Sequence, residues 1–293
     1  MDATSYGALL DAVRGVHWPA RNAVAGGVAG THRSRQRGTS AEFTEYRLYR
    51  QGDDPRRLDW RLLARSDRAY LRLATDRAHL ATMIVVDASA SMAFPAPSHD
   101  KWRRARELAV GLAAIAHADG DPVGVVVAAA TGAGMLSPRT RRGVVGEIAR
   151  VVDGVAPGGS APIAPIVATL RTGRIAIVTD LLGDADALLA AARLHSAAGR
   201  EVHLVHVVAR AELDPPRRNF LATDPERPGV QRLLIDADRR RYIEAFAAWR
   251  ADMARQWRAA GAVYVKSVTD ADPARSVRRV AESSRAGVAQ GRR

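Results

Sequence analysis

From residue 81 the chain alternates between short apolar runs rich in β-branched residues and longer stretches whose apolar positions recur every three or four residues. This is the pattern of a parallel sheet covered by helices. Thr82–Asp87 is the first predicted buried strand. Asp100 to about Ala118 places Trp102, Ala105, Leu108, Ala109, Leu112 and Ile115 on one face and stops at Gly120, which predicts a helix. Further strands are expected at Pro122–Ala129, Arg174–Asp180, Glu201–Val208 and Ala262–Lys266. Helices are expected over about Thr140–Val152, from the 157–160 turn to Arg171, and over Asp184–Ala198, Asp236–Ala260 and Asp272–Ser284. A short apolar piece surrounds Met135–Leu136, and the proline-punctuated connector 209–235 reads as a small hairpin, Asn219–Thr223 with Val230–Ile235. The expected fold is therefore α/β: a mostly parallel six-stranded sheet flanked by helices over 81–290, with a frayed tail after Arg285.

Residues 1–80 do not share this rhythm and read as a separate, mixed N-terminal subdomain. They open with an amphipathic segment and pass through the polar stretch Thr31–Ser40. Strand-like pieces, Glu42–Arg50 and Ala69–Leu73, then flank the turn Gln51-Gly52-Asp53-Asp54-Pro55. Carboxylates (Glu42, Glu45, Asp53, Asp54, Asp59) alternate with arginines (Arg47, Arg50, Arg56, Arg57, Arg61, Arg65), so ion pairs are expected to hold the segment together and onto the sheet, with Trp60 docked among them.

Composition narrows the function. At 293 residues with 47% hydrophobic and 26% charged positions, the chain is an ordinary globular one with a sizeable core. With no cysteine it has no disulfide, thiolate nucleophile, cysteine-held zinc or iron–sulfur centre. No apolar run approaches the roughly 20 residues of a membrane span. Asp2, Asp11 and Pro19 interrupt any export signal, so the expected location is the cytoplasm. The net charge of +13 is a nucleic-acid footprint only if it is concentrated, and here the middle of the chain is nearly neutral. Lys101 and Lys266 are the only lysines among 44 basic residues, and no zinc-finger, RNP or basic-zipper pattern accompanies the arginines. A nucleic-acid partner is not expected.

The candidate chemistry sits where the first strand ends. Asp87-Ala88-Ser89-Ala90-Ser91 presents a carboxylate and two hydroxyls at alternate positions on the loop leaving the carboxyl end of a parallel strand, where open α/β sheets bind ligands. All are hard oxygen donors suited to Mg²⁺. Ser160, in the Pro-Gly-Gly-Ser turn, and Asp180, at the end of a later strand, bring two more. The alternative is that Ser89 and Ser91 only cap the turn into a helix.

This arrangement resembles the metal-ion-dependent adhesion site of von Willebrand factor A domains, an Asp-x-Ser-x-Ser followed by a Thr and an Asp. The resemblance implies that Asp87, Ser89, Ser91, Ser160 and Asp180 hold Mg²⁺ or Mn²⁺, with an open position for a partner's carboxylate. Ser160 stands where Thr is usual. Upstream, Gly38, Glu42-Phe43, Arg47, Tyr49, Gly52-Asp53-Asp54, Arg56, Asp59-Trp60 and Ala64-Arg65 are similar to the signature of a bacterial family, domain of unknown function 58, whose members join this segment to a von Willebrand A-like domain. That likeness implies association with a MoxR-type AAA+ ATPase but no established reaction, and, among its members, the branch without membrane helices. With the metal site, the expected function is a non-enzymatic, metal-dependent protein-interaction module, the alternative being an adaptor with a structural or degenerate metal site.

Enzymatic rivals fit less well. A haloacid-dehalogenase-like phosphotransferase would use Asp87 as nucleophile and Asp180 and Asp184 as its late acids. It needs an Asp where Ser89 stands and a lysine between the acidic motifs, where only Lys101, early in the chain, is available. No Gly-x-Ser-x-Gly elbow and no P-loop occurs. His203 and His206, three apart on a strand, point to opposite faces and read as core residues rather than a metal pair. His32 reads as a solvated loop residue, and Arg239-Arg240-Arg241 as the wet face of a helix.

Overall fold

A computed structural model describes residues 6–21, 29–51, 53, 55, 58–66, 68–217, 219–223, 229–235 and 238–290. In chain order the elements are α1 (Gly7–Ala12), β1 (Ala29–Leu48), α2 (Trp60–Ser66), β2 (Tyr70–Ala78), β3 (Thr82–Asp87) and α3 (Asp100–Ala118). They continue with β4 (Val123–Ala129), β5 (Gly132–Arg139), α4 (Val144–Asp153), α5 (Ile163–Thr169), β6 (Arg174–Thr179), α6 (Ala185–Ala197) and β7 (Glu201–Val208). The last are α7 (Arg210–Leu213), β8 (Phe220–Thr223), β9 (Gln231–Leu234), α8 (Arg239–Ala259), β10 (Val263–Val268) and α9 (Pro273–Gln290).

The main sheet has six strands in the order β10-β7-β6-β3-β4-β5, all parallel except β5. Strands β3, β4, β6 and β7 are buried along their whole length, so they read as continuous apolar runs rather than alternations. Alternate side chains still go to opposite layers. Ile84 and Val86 join a core with α1, α3, α4 and α9, while Met83 and Val85 join one with α5, α6 and α8. The sixth strand is the Met135–Leu136 piece, which pairs antiparallel with β4 at the sheet's edge. Its burial alternates, as an edge strand's does, and its Gly, Ser and Pro positions mask the strand pattern. Gly124 allows the close approach, since a Cβ there would meet the Leu136 carbonyl oxygen at 2.3 Å.

The expected helices and the hairpin Phe220–Thr223 with Gln231–Leu234 are present, with ends shifted by a few residues. Asp184 caps α6, accepting the Ala187 N–H at 2.9 Å. Asp236, expected to cap α8, lies outside the described residues, and α9 continues past the expected fraying point to Gln290.

The chain divides into two compact units, Met1–Arg21 with Ala81–Arg293, and Asn22–Leu80. Residues 6–21 group with the sheet unit, against the single N-terminal subdomain expected over residues 1–80. The cause is burial. Tyr6, Leu9, Val13 and Trp18 sit in the α1/α3/α9 core layer, Tyr6 Oη donates to Asp153 at 2.7 Å, and the Trp18 backbone N–H donates to Asp119 at 2.6 Å. In the second unit β1 and β2 pair antiparallel, and the polar stretch Thr31–Ser40, His32 included, lies within β1 instead of a loop. Arg47 pairs with Asp53 at 2.7 Å, and Asp59 accepts the Arg61 and Leu62 N–H groups at 3.0 Å, starting α2. Within this unit Trp60 starts α2 and is 64% exposed. Gly52, Asp54, Arg56 and Arg57 lie outside the described residues.

At the amino end of the sheet the fully buried Arg174 lies between Glu201 (3.2 Å) and Asp121 (3.5 Å). It donates to the Trp18 carbonyl at 3.0 Å and stacks 4.3 Å from the Trp18 ring centroid. His203, on the next strand, meets the same ring edge-on at 5.1 Å, and burial pushes its imidazole down to about 4, so it is neutral. His203 and His206 are indeed core residues facing opposite layers. Removing one member of a buried ion cluster leaves the others desolvated without compensation. Arg174→Met should therefore cost about 3–5 kcal/mol in urea unfolding; a loss below about 1 kcal/mol would show that the cluster does not hold the N-terminal segment.

Candidate functional site

The strand order fixes where a ligand can bind. After β3 the chain moves to β4 on one side, whereas β6, on the other side of β3, leads on to β7 and β10. The carboxyl ends of β3 and β6 are thus the topological switch point, where the flanking loops part and leave a crevice. Asp87 ends β3 and Asp180 follows β6, so the two carboxylates predicted from sequence do stand on neighbouring strands.

The loop after β3 is folded by its own polar groups. Asp87 Oδ1 accepts the Ser89 N–H at 2.9 Å, the Ser89 and Ser91 Oγ atoms lie 3.0 Å apart, and a 3-10 turn follows at Ala90–Ala93. The 157–160 turn is tied to this loop by two backbone bonds, Gly158 N–H to the Ala88 carbonyl and Ala90 N–H to the Gly159 carbonyl, at 2.9 and 2.8 Å. Gly159 has φ +61°, and a Cβ there would meet Ala130 Cβ at 2.6 Å, so only glycine permits this contact. Ser160 follows it at the exposed rim, while Asp87, Ser89, Ser91 and Asp180 are buried. The structure thus brings four of the five expected residues together below the surface and sets the fifth on an adjoining turn.

Three further residues complete the site. Thr179 Oγ1 donates to Asp87 Oδ2 at 2.6 Å and accepts the Leu181 N–H at 3.1 Å. Leu181 has φ +61°, a strained conformation for a leucine, and the Leu182 N–H donates to Asp180 Oδ1 at 3.1 Å. Lys101, 1% exposed, donates to Asp180 Oδ2 at 2.9 Å and also pairs with Glu212, whose other oxygen accepts the Ala209 N–H at 2.7 Å. Sequence reasoning weighed Lys101 only as a phosphotransferase lysine and set it aside, and passed over Thr179 and Glu212. A signal existed for Lys101, one of two lysines in an arginine-dominated chain; Thr179 and Glu212 gave none, because their roles depend on which strands and turns become neighbours. Arg239 differs as well from the wet face expected of it, since it pairs with Asp214 and donates to the Pro215 carbonyl at 2.8 Å.

The electrostatics follow from burial. Desolvation, with the Asp180 charge beside it, pushes Asp87 up to about 6, against the opposing bonds from Thr179 and Ser89. Burial works to lower Lys101, but Asp180 and Glu212 outweigh it and hold the ammonium above its usual value. Burial raises Glu212 despite Lys101. On the neighbouring strand burial takes His206 down to about 3, so this imidazole adds no positive charge. Two carboxylates, Asp180 and Glu212, therefore contact one ammonium, with Asp87 beside Asp180 in the same desolvated place.

The donor set fits a hard cation. Two ligands in adjacent octahedral positions at about 2.1 Å from Mg²⁺ stand about 3.0 Å apart, and this is the Ser89–Ser91 oxygen separation. No three His, Asp or Glu side chains converge among the described residues, so hydroxyls and water would have to supply most of the shell. Ser89, Ser91 and Asp87 would hold the ion, with Asp180 and Ser160 in the outer positions. Phe94 and Leu182, 39% and 45% exposed, follow the two loops in sequence.

Sheet order, switch point and Asp-x-Ser-x-Ser loop together define an α/β domain of von Willebrand factor A type. The chain belongs to the family described as protein of unknown function DUF58, which matches residues 45–253. Uncharacterized proteins of Mycobacterium bovis and Mycobacterium tuberculosis are 30% identical over 97% of this chain and 92% of theirs. Among solved structures, an aerotolerance-related membrane protein from Bacteroides fragilis is 18% identical over 71% of this chain and 99% of its own, with a TM-score of 0.45. The von Willebrand A domain of SpRpn10 is 12% identical over 68% of this chain and 94% of its own, with a TM-score of 0.39. Among the described residues no helix is long and apolar enough to cross a membrane.

Thr179→Val keeps the shape of the side chain and removes both of its hydrogen bonds. It should lower unfolding stability by about 1–3 kcal/mol, read by urea titration; an unchanged midpoint would mean that the hydroxyl does not organise the Asp87 and Asp180 loops.

Proposed function

We propose that this protein is a non-enzymatic interaction module whose partner binds at the carboxyl end of β3 through a divalent ion, Mg²⁺ or Mn²⁺. The observation that carries the reading is the Ser89–Ser91 hydroxyl pair beside Asp87 at the switch point, in a site with more carboxylate than ammonium. In its function the ion supplies an electrophilic position for a carboxylate of the partner. Ser89, Ser91 and Asp87 hold and orient that ion, Thr179 keeps Asp87 in place, and Ser160 marks the solvent side. The family signature makes a MoxR-type AAA+ ATPase the partner to test first.

A second reading is a chaperone-like adaptor whose metal site is degenerate and structural and whose AAA+ ATPase partner binds without metal; the Lys101–Asp180 pair favours it. The phosphotransferase alternative gains a lysine, because Lys101 does reach Asp180 despite its early place in the chain. It still lacks an acid at Ser89, and Thr179 covers one oxygen of Asp87, the would-be nucleophile.

Calorimetry with Mg²⁺ should show saturable heat for the native chain and none for Asp87→Ala, and capture of a MoxR-type ATPase by the native chain should fall in EDTA. Equal, negligible heats from both proteins would remove the metal role, and capture unchanged in EDTA would favour the adaptor.

A further inference from the structure

The ammonium of Lys101 already occupies one oxygen of Asp180, a residue expected to serve the metal. It is enclosed, donates to Asp180 Oδ2 at 2.9 Å, pairs with Glu212, and lies 5.5 Å from the Phe94 ring centroid. An enclosed lysine cannot discharge into water when a second cation arrives, and two cations sharing one desolvated carboxylate repel each other strongly. The structure nevertheless offers it another place. Glu212 is on α7, beyond the end of β7, on an element separate from the Asp87 and Asp180 loops, and can keep the ammonium while Asp180 turns to the ion.

We propose that Lys101 is a built-in competitor for the divalent ion, and that loading requires its ammonium to release Asp180 and remain on Glu212. This rests on the metal-dependent reading and adds to it a gate. The domain carries its own monovalent counter-ion when metal is scarce, so the loops after β3 and β6 keep their shape. The switch to the partner-binding state then takes place only above a threshold of free metal, set by how strongly Lys101 holds Asp180. Because the competition is between an ammonium and a divalent ion for Asp180, its strength can be tuned at Lys101 and Glu212, which are not themselves metal ligands.

The test is calorimetric titration of the full chain with Mn²⁺, comparing native protein, Lys101→Met, Glu212→Gln and the double variant. Lys101→Met should bind at least tenfold more tightly than native protein. Glu212→Gln alone should weaken binding, because Lys101 then has only Asp180. In the Lys101→Met background the same Glu212→Gln change should have little effect, which a purely electrostatic contribution of Glu212 would not allow. The double variant also removes one of the buried charges left by Lys101→Met, and melting with and without Mn²⁺ reports binding in any variant of reduced stability. Measurable binding of equal strength in native protein and Lys101→Met would overturn the competitor role and leave the metal site standing. Absence of binding in every variant would overturn both. Binding by Lys101→Met alone would establish the competition and assign the native site to the ammonium.

Discussion

Two carboxylates at the ends of adjacent parallel strands, both desolvated, are the constraint around which the carboxyl edge of this sheet is organised. Burial, and next to it the charge of Asp180, raise the cost of ionising Asp87, which is held near 6. Each nearby feature answers that cost. Thr179 and the Ser89 N–H solvate Asp87, the Leu182 N–H and Lys101 solvate Asp180, and Leu181 accepts a left-handed backbone so that these donors point inward.

The two ends of the sheet make an instructive contrast. At the amino end Arg174 meets two acids, a carbonyl and the face of Trp18, in a cluster closed over by the N-terminal segment. Such a guanidinium is a permanent cation with a fixed fork of donors, suited to closure. At the carboxyl end the cation is a lysine, an enclosed ammonium paired with Asp180 and Glu212, and one of only two lysines in the chain.

Much of this was legible in the residues. The buried strands β3, β4, β6 and β7 announce themselves because both faces are covered, and α3 because its apolar stripe is unbroken from Trp102 to Ile115. Asp87, Ser89 and Ser91 could be picked out because they are local. What the pattern did not reveal has physical reasons. Strand β5 is an edge strand with glycine and proline in it, so its alternation is weak. Residues 6–21 join the sheet unit through Trp18 and Tyr6, whose partners Asp119, Asp153 and Arg174 are more than a hundred residues away in sequence. Lys101 and Glu212 belong to the site only through the strand order that sets β3, β6 and β7 side by side.

The claim on which the functional account stands is that a divalent ion settles against the hydroxyl pair of the β3 loop. Anomalous diffraction from crystals equilibrated with Mn²⁺ tests it directly. The account predicts a peak about 2.0–2.2 Å from both Ser89 Oγ and Ser91 Oγ, with Lys101 displaced from Asp180. A crystal saturated with Mn²⁺ that shows no peak at this loop, and Lys101 still bonded to Asp180, would contradict it.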